Sequence, residues 1–166
     1  MKFRLLALLA MIVLMVPVLT NSPQQVIRVE TANGDLLACT RVDAGDVAQL
    51  QFTHSMFGGY VLEQWEITPD GELNRLRFVT ENAAAAEYYA TDGASYQADD
   101  GFVVPGDPLQ QPELIVRVNN RGNHVLTVAG NEWHLAEMVD ESTQVRIVID
   151  TGNCGEIEES MSGKDD

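Results

Sequence analysis

The sequence predicts an all-β domain, an antiparallel β-sandwich or barrel of about nine short strands. Three observations carry that expectation. Short segments alternate apolar and polar residues at a spacing of about 8–12 residues. Pairs such as Asn33-Gly34, Gly58-Gly59 and Asp70-Gly71 stand between them and suit tight turns. Only one stretch, "ENAAAAEYYA" from Glu81 to Ala90, has the composition of a helix, and it is long enough for a turn or two.

The elements follow in order. "QVIRVE" and "LLACTRV" flank "TANGD" and read as a hairpin. "VAQLQFTHS" and "YVLEQWEI" flank Gly58-Gly59, and "TPDGE" then leads into "LNRLRFVTE". Beyond the helical stretch come "GFVV", then "ELIVRVN" and "HVLTVAG" joined across "NNRGN", then "EWHLAEMV" after Gly130-Asn131, and last "TQVRIVID". Residues 25–152 make one β domain, because a chain of 166 residues has room for a single continuous core plus its ends. The segment 153–166 is acidic and poor in apolar residues, which predicts a flexible tail.

The first 21 residues address the chain to export. Lys2 and Arg4 precede an unbroken apolar run from Leu5 to Leu19. That run covers roughly 22 Å at ~1.5 Å per residue, short of the ~30 Å hydrocarbon core. A cleaved signal peptide and an uncleaved N-terminal membrane anchor both remain open, and either delivers the rest of the chain to the periplasm or to the periplasmic face of the inner membrane. Export gives meaning to the two cysteines: an oxidising compartment allows Cys39 and Cys154 to join, closing a long loop that would contribute ~4–5 kcal/mol in the chain-entropy model. The net charge of −15 argues against nucleic acid and anionic lipid headgroups, both of which need clustered Lys and Arg.

The stretch "LQFTHSMFGGYVLEQWEI", Leu50 to Ile67, holds the one polar pair in an unusual place. If Gly58-Gly59 is a two-residue turn, counting outward sets His54 opposite Glu63 and Phe52 opposite Trp65, on the face shared by Leu50 and Ile67. A histidine and a carboxylate on an apolar face need each other, since desolvating either charge alone is expensive. Three uses of the pair stay open: a structural ion pair at the end of the core, a recognition site for a ligand or partner built from His54, Ser55, Glu63 and Trp65, and catalysis.

The arrangement "F-x-H-S" followed by "V-x-E-x-W" and a hydrophobic hairpin through "DG" resembles a small exported bacterial family of unknown function whose genes accompany TRAP transporters of the TAXI type. The likeness runs from about Val47 to Met138, and its most specific part is His54-Ser55 with Glu63. Members usually show a Gly-Ala-Gly-like stretch after the second hairpin, where this chain has "NAAAAEYY". The resemblance implies an exported or membrane-anchored accessory to solute uptake and no particular activity.

Catalytic and metal signatures are missing from the sequence. Ser55 follows His54 directly and so faces the opposite way on a strand, and no G-x-S-x-G elbow occurs. His54, His124 and His134 show no zinc-ligand spacing, His124 and His134 read as surface or packing residues, and "DDGFVVPGDP" lacks the ligand order of a calcium loop. The expectation is a non-enzymatic accessory without cofactor or metal that binds the membrane subunits or the solute-binding protein of a TAXI-type TRAP system. The alternative is an autonomous periplasmic β-barrel that binds a small-molecule ligand.

Overall fold

The computed structural model describes residues 24–90, 94–106, 110–140 and 142–155. The N-terminal segment read above as an export signal and the acidic residues from 156 onward lie outside the described residues. Twelve strands are described: β1 (Gln25–Thr31), β2 (Leu36–Val42), β3 (Val47–Thr53), β4 (Tyr60–Ile67), β5 (Leu73–Thr80), β6 (Tyr96–Ala98), β7 (Gly101–Pro105), β8 (Gln110–Gln111), β9 (Glu113–Val118), β10 (Val125–Val128), β11 (Asn131–His134) and β12 (Thr143–Thr151). Helix α1 (Ala83–Tyr89) falls within the stretch of helical composition, and a 3-10 turn covers Leu135–Glu137.

The strands form two antiparallel sheets, so the predicted all-β sandwich is the fold observed. The smaller sheet has the order β2-β1-β12-β9, and the larger runs β11-β10-β3-β4-β5-β7-β6 with β8 also paired to β5. Alternation places Ile27, Val29, Leu114, Val145 and Ile147 of the smaller sheet against Ala48, Leu50, Trp65, Ile67 and Leu126 of the larger, and these form the main core. The larger sheet is wider than its partner, and helix α1 packs on β5 and β7 to cover what the smaller sheet leaves. A second apolar cluster of Val61, Phe78, Ala86 and Val104 lies there.

Cys39 of β2 and Cys154 just beyond β12 are joined in a disulfide with Cα atoms 5.7 Å apart. It ties the edge strand of the smaller sheet to the end of the last strand, two elements that both pair with β1. Such a bond fits an oxidising compartment. Among the described residues no helix is long and apolar enough to cross a membrane.

Three local expectations need correction. The connection from β3 to β4 is not a two-residue turn: it runs from His54 to Gly59, closed by Gly58 N–H donating to the His54 carbonyl (2.9 Å) and His54 N–H donating to that of Gly59 (3.1 Å). The ladder therefore pairs Leu50 with Glu63, Phe52 with Val61 and Ala48 with Trp65. The displacement is even, so Glu63 and Trp65 stay on the inner face, but His54 lies beyond the ladder and has no cross-strand partner. Second, "NNRGN" does not join neighbours in one sheet, because β9 belongs to the smaller sheet and β10 to the larger. Third, β6 and β8 add two short strands at the margins.

Candidate binding cleft

His54 organises the loop that carries it. Its Nδ1 accepts hydrogen bonds from the backbone N–H groups of Met56 (3.1 Å) and Phe57 (3.2 Å). An imidazole accepting at Nδ1 keeps its proton on Nε2, so the ring acts locally as the acceptor that wraps the chain around it. Gly58 and Gly59, with φ of 65° and 79°, supply the left-handed conformations that the wider loop needs. The ring is 7% exposed and lies between Phe57 (centroids 4.9 Å apart) and the edge of Tyr89 (5.8 Å).

Asn82 joins this loop to helix α1. Its Oδ1 caps the helix by accepting from the N–H groups of Ala84 (2.9 Å) and Ala85 (3.3 Å), while its Nδ2 donates to the Phe57 carbonyl at 3.0 Å. Helix α1 then presents Tyr88 and Tyr89 beside His54, with Tyr89 stacked on Phe78 at 4.4 Å.

The crossing from β9 to β10 forms the facing wall. The Asn119 side chain accepts from the N–H groups of Arg121 and Gly122, both at 2.9 Å, and shapes the turn. The Gly122 carbonyl accepts from Thr53 N–H at 2.7 Å, which fixes the turn to the end of β3. His124 stacks on Phe52 with centroids 5.5 Å apart and is 7% exposed. Burial lowers its pKa, and its Nδ1 is buried without a hydrogen-bond partner among the described residues.

These three segments enclose an open cleft of about 700 Å³, within the range of small-molecule sites. His54, Ser55, Met56, Tyr88, Tyr89, Arg117, Arg121 and His124 are among its lining residues. Among the described residues no acidic side chain lines it, although the chain holds 25 Asp and Glu. A second cleft of about 700 Å³ lies at the other side of the sandwich and mixes charges, with Arg41 beside Asp43 and Asp46.

The four residues singled out from sequence divide between the cleft and the interior. His54 and Ser55 line the cleft, Ser55 exposed and His54 buried. Glu63 and Trp65 do not; they sit on the inner face of β4, where Trp65 belongs to the main core and Val61 to the second cluster. Glu63 therefore marks the seam between the two clusters. Its Oε2 accepts from Trp65 Nε1 at 3.3 Å, and the guanidinium of Arg75 lies 6.0 Å from the Trp65 ring. Desolvation pushes the Glu63 pKa up, with the Trp65 hydrogen bond and the charge of Arg75 acting against it. Tyr89 links cleft and seam: burial raises its pKa first, and the nearby Glu63 charge raises it further. The expected His54–Glu63 ion pair is thus replaced by two separate arrangements, a turn built on His54 and a half-buried seam built on Glu63.

Comparison with protein-family models, curated proteins and solved structures returns no match. The cleft must be read from its own chemistry. Arg117, Arg121, Tyr88 and Tyr89 join the site without having stood out in the sequence, and His124, expected as a surface or packing residue, lines it too. One signal does point to this segment: the chain from Leu114 to Asn131 carries two arginines and a histidine and no acid, in a sequence otherwise rich in carboxylates. Among the described residues no group of three or more His, Cys, Asp or Glu is placed to hold a metal ion.

Proposed function

We propose that this protein is an exported, non-enzymatic binding module that serves a TAXI-type TRAP uptake system by engaging its membrane subunits or its solute-binding protein. The observation that carries the binding reading is the acid-free, donor-lined cleft built from the His54 loop, helix α1 and the β9–β10 crossing. A hydroxyl nucleophile needs a free base, and His54 Nδ1 is already engaged by two backbone N–H groups. The uptake context comes from the likeness around His54-Ser55 and Glu63, and the N-terminal apolar run and the disulfide agree with a place outside the cytoplasm.

A specific observation favours the second reading as well: the cleft has the volume of a small-molecule site, as an autonomous periplasmic binder requires. In-cell photo-crosslinking separates the two. A photoreactive residue at Met56, 71% exposed at the cleft, should capture TRAP subunits, while one at Tyr96, 56% exposed on the outermost strand of the larger sheet, should not. Capture from neither position contradicts the accessory reading and leaves the autonomous binder.

A further inference from the structure

We propose that the cleft binds a small organic anion, with its carboxylate held by Arg117 and Arg121 and its apolar body laid against Met56, Tyr88 and Tyr89. The inference rests on the binding reading above and names the ligand chemistry.

The charges argue for it first. The described part of the chain contains seven arginines, Arg28, Arg41, Arg75, Arg77, Arg117, Arg121 and Arg146, and no lysine. On the outer face of the smaller sheet Arg28 and Arg146 are committed to carboxylates: Arg28 meets Asp150 at 2.9 Å, and Arg146 meets Glu30 at 2.8 Å and Glu113 at 2.7 Å. Arg77 reaches Asp100 at 3.9 Å. Arg117 and Arg121, like Arg41 and Arg75, form no ion pair with any described carboxylate, but these two line one cleft together and no acidic side chain lines it with them. In a chain of net charge −15 an unpaired arginine has many carboxylates to choose from, so keeping two together in an acid-free recess creates a local positive field that an anion can occupy. A guanidinium fork matches a carboxylate in geometry as well as in sign.

The rest of the lining specifies more than charge. The His54 Nε2 carries the ring proton, because Nδ1 is the acceptor for Met56 and Phe57, so the free nitrogen of this lining residue is a donor. The turn bearing Arg121 is held by the Asn119 side chain and by the Thr53 to Gly122 hydrogen bond, so its backbone is ordered before any ligand arrives. Exposed Tyr88 and Met56, 66% and 71% accessible, offer apolar surface at the opposite side. Inorganic phosphate would satisfy the arginines and leave that surface unused, whereas an organic carboxylate uses both.

The test is titration of the full-length protein, as isolated after export, with phenylacetate, succinate, inorganic phosphate and the neutral analogue phenylacetamide. Calorimetry gives affinity, and arginine side-chain NMR signals give location. Phenylacetate is expected to shift the Arg117 and Arg121 signals, and phenylacetamide to bind at least about tenfold more weakly. Arg117→Ala and Arg121→Ala should each weaken phenylacetate by about tenfold or more, with Arg41→Ala in the other cleft unchanged. Arg121→Lys, which keeps the charge and loses the fork, should fall between. Phosphate binding as tightly as phenylacetate would overturn the organic body and assign the site to an inorganic oxyanion. Binding insensitive to both arginine variants, or no binding of any anion in the millimolar range, overturns the proposal outright. Capture of TRAP subunits from Met56 without anion binding would sink this inference alone. Anion binding without capture would sink the accessory reading alone.

Discussion

Asn82 donates from its side-chain nitrogen to the Phe57 carbonyl at 3.0 Å while its oxygen caps helix α1, so one residue holds two walls of the cleft together. Asn82→Ala removes both. Loss of the cap costs about 0.5–2 kcal/mol, and loss of the bond to Phe57 about 0.5–1.5 kcal/mol more. Chemical denaturation should show a destabilisation of about 1–3.5 kcal/mol, and ligand or partner binding at the cleft should weaken beyond what the fraction of folded protein explains. An Asn82→Asp variant should retain the cap and lose the donor to Phe57, falling between alanine and wild type.

Glu63 makes stability depend on pH in a defined direction. Its folded pKa is raised by desolvation above the unfolded value of about 4.3, so the folded state holds the proton more tightly. The stabilisation this provides is fully present below the unfolded value and is lost as pH rises through the raised folded one. Each tenfold difference in proton affinity between the folded and unfolded states corresponds to about 1.4 kcal/mol. Glu63→Gln keeps an acceptor for Trp65 Nε1 and cannot ionise. The stability of the variant relative to wild type should therefore increase between acidic and neutral pH. Parallel stability curves for the two proteins would show that the carboxylate is not desolvated.

Gly122 is predicted to tolerate no side chain. A Cβ there would fall on the His124 ring, touching Cε1 and coming within 2.6 Å of Nδ1. The ring cannot retreat freely because it stacks on Phe52. Gly122→Ala should displace the ring and cost about 1–3 kcal/mol, as overpacking does elsewhere. The His124 NMR signals should move while those of His134, exposed on β11, stay in place.

The disulfide should matter far from the cleft. Replacing Cys39 and Cys154 together by serine is expected to cost about 2–5 kcal/mol under denaturation while leaving cleft binding unchanged at temperatures where the variant is folded.

Strands are legible in the sequence wherever alternation is long and flanked by turn residues: β1, β2 and β4 fall within a residue of the segments that alternation marks, and the disulfide is expected from the apolar N-terminal run, read as an export signal, together with the cysteine count. The short strands are not legible, because Gln110–Gln111 has no apolar face to declare and pairs only as an edge of β5. The His54–Glu63 pair fails for a local reason. Backbone N–H groups reach His54 Nδ1 and widen the turn, and a hydrogen bond between residues two and three apart leaves no periodic trace. Glu63 still falls on the inner face, as alternation predicts, because the displaced register preserves parity. Arg117 and Arg121 become cleft residues only through the crossing between sheets, a tertiary relationship that turn chemistry alone does not encode.

The accessory role is tested most directly by co-purification of the tagged full-length protein from its native membranes, beside an unrelated protein of similar charge. TRAP membrane subunits or the solute-binding protein are expected to be recovered with this chain and not with the control. Recovery of neither would contradict the accessory role.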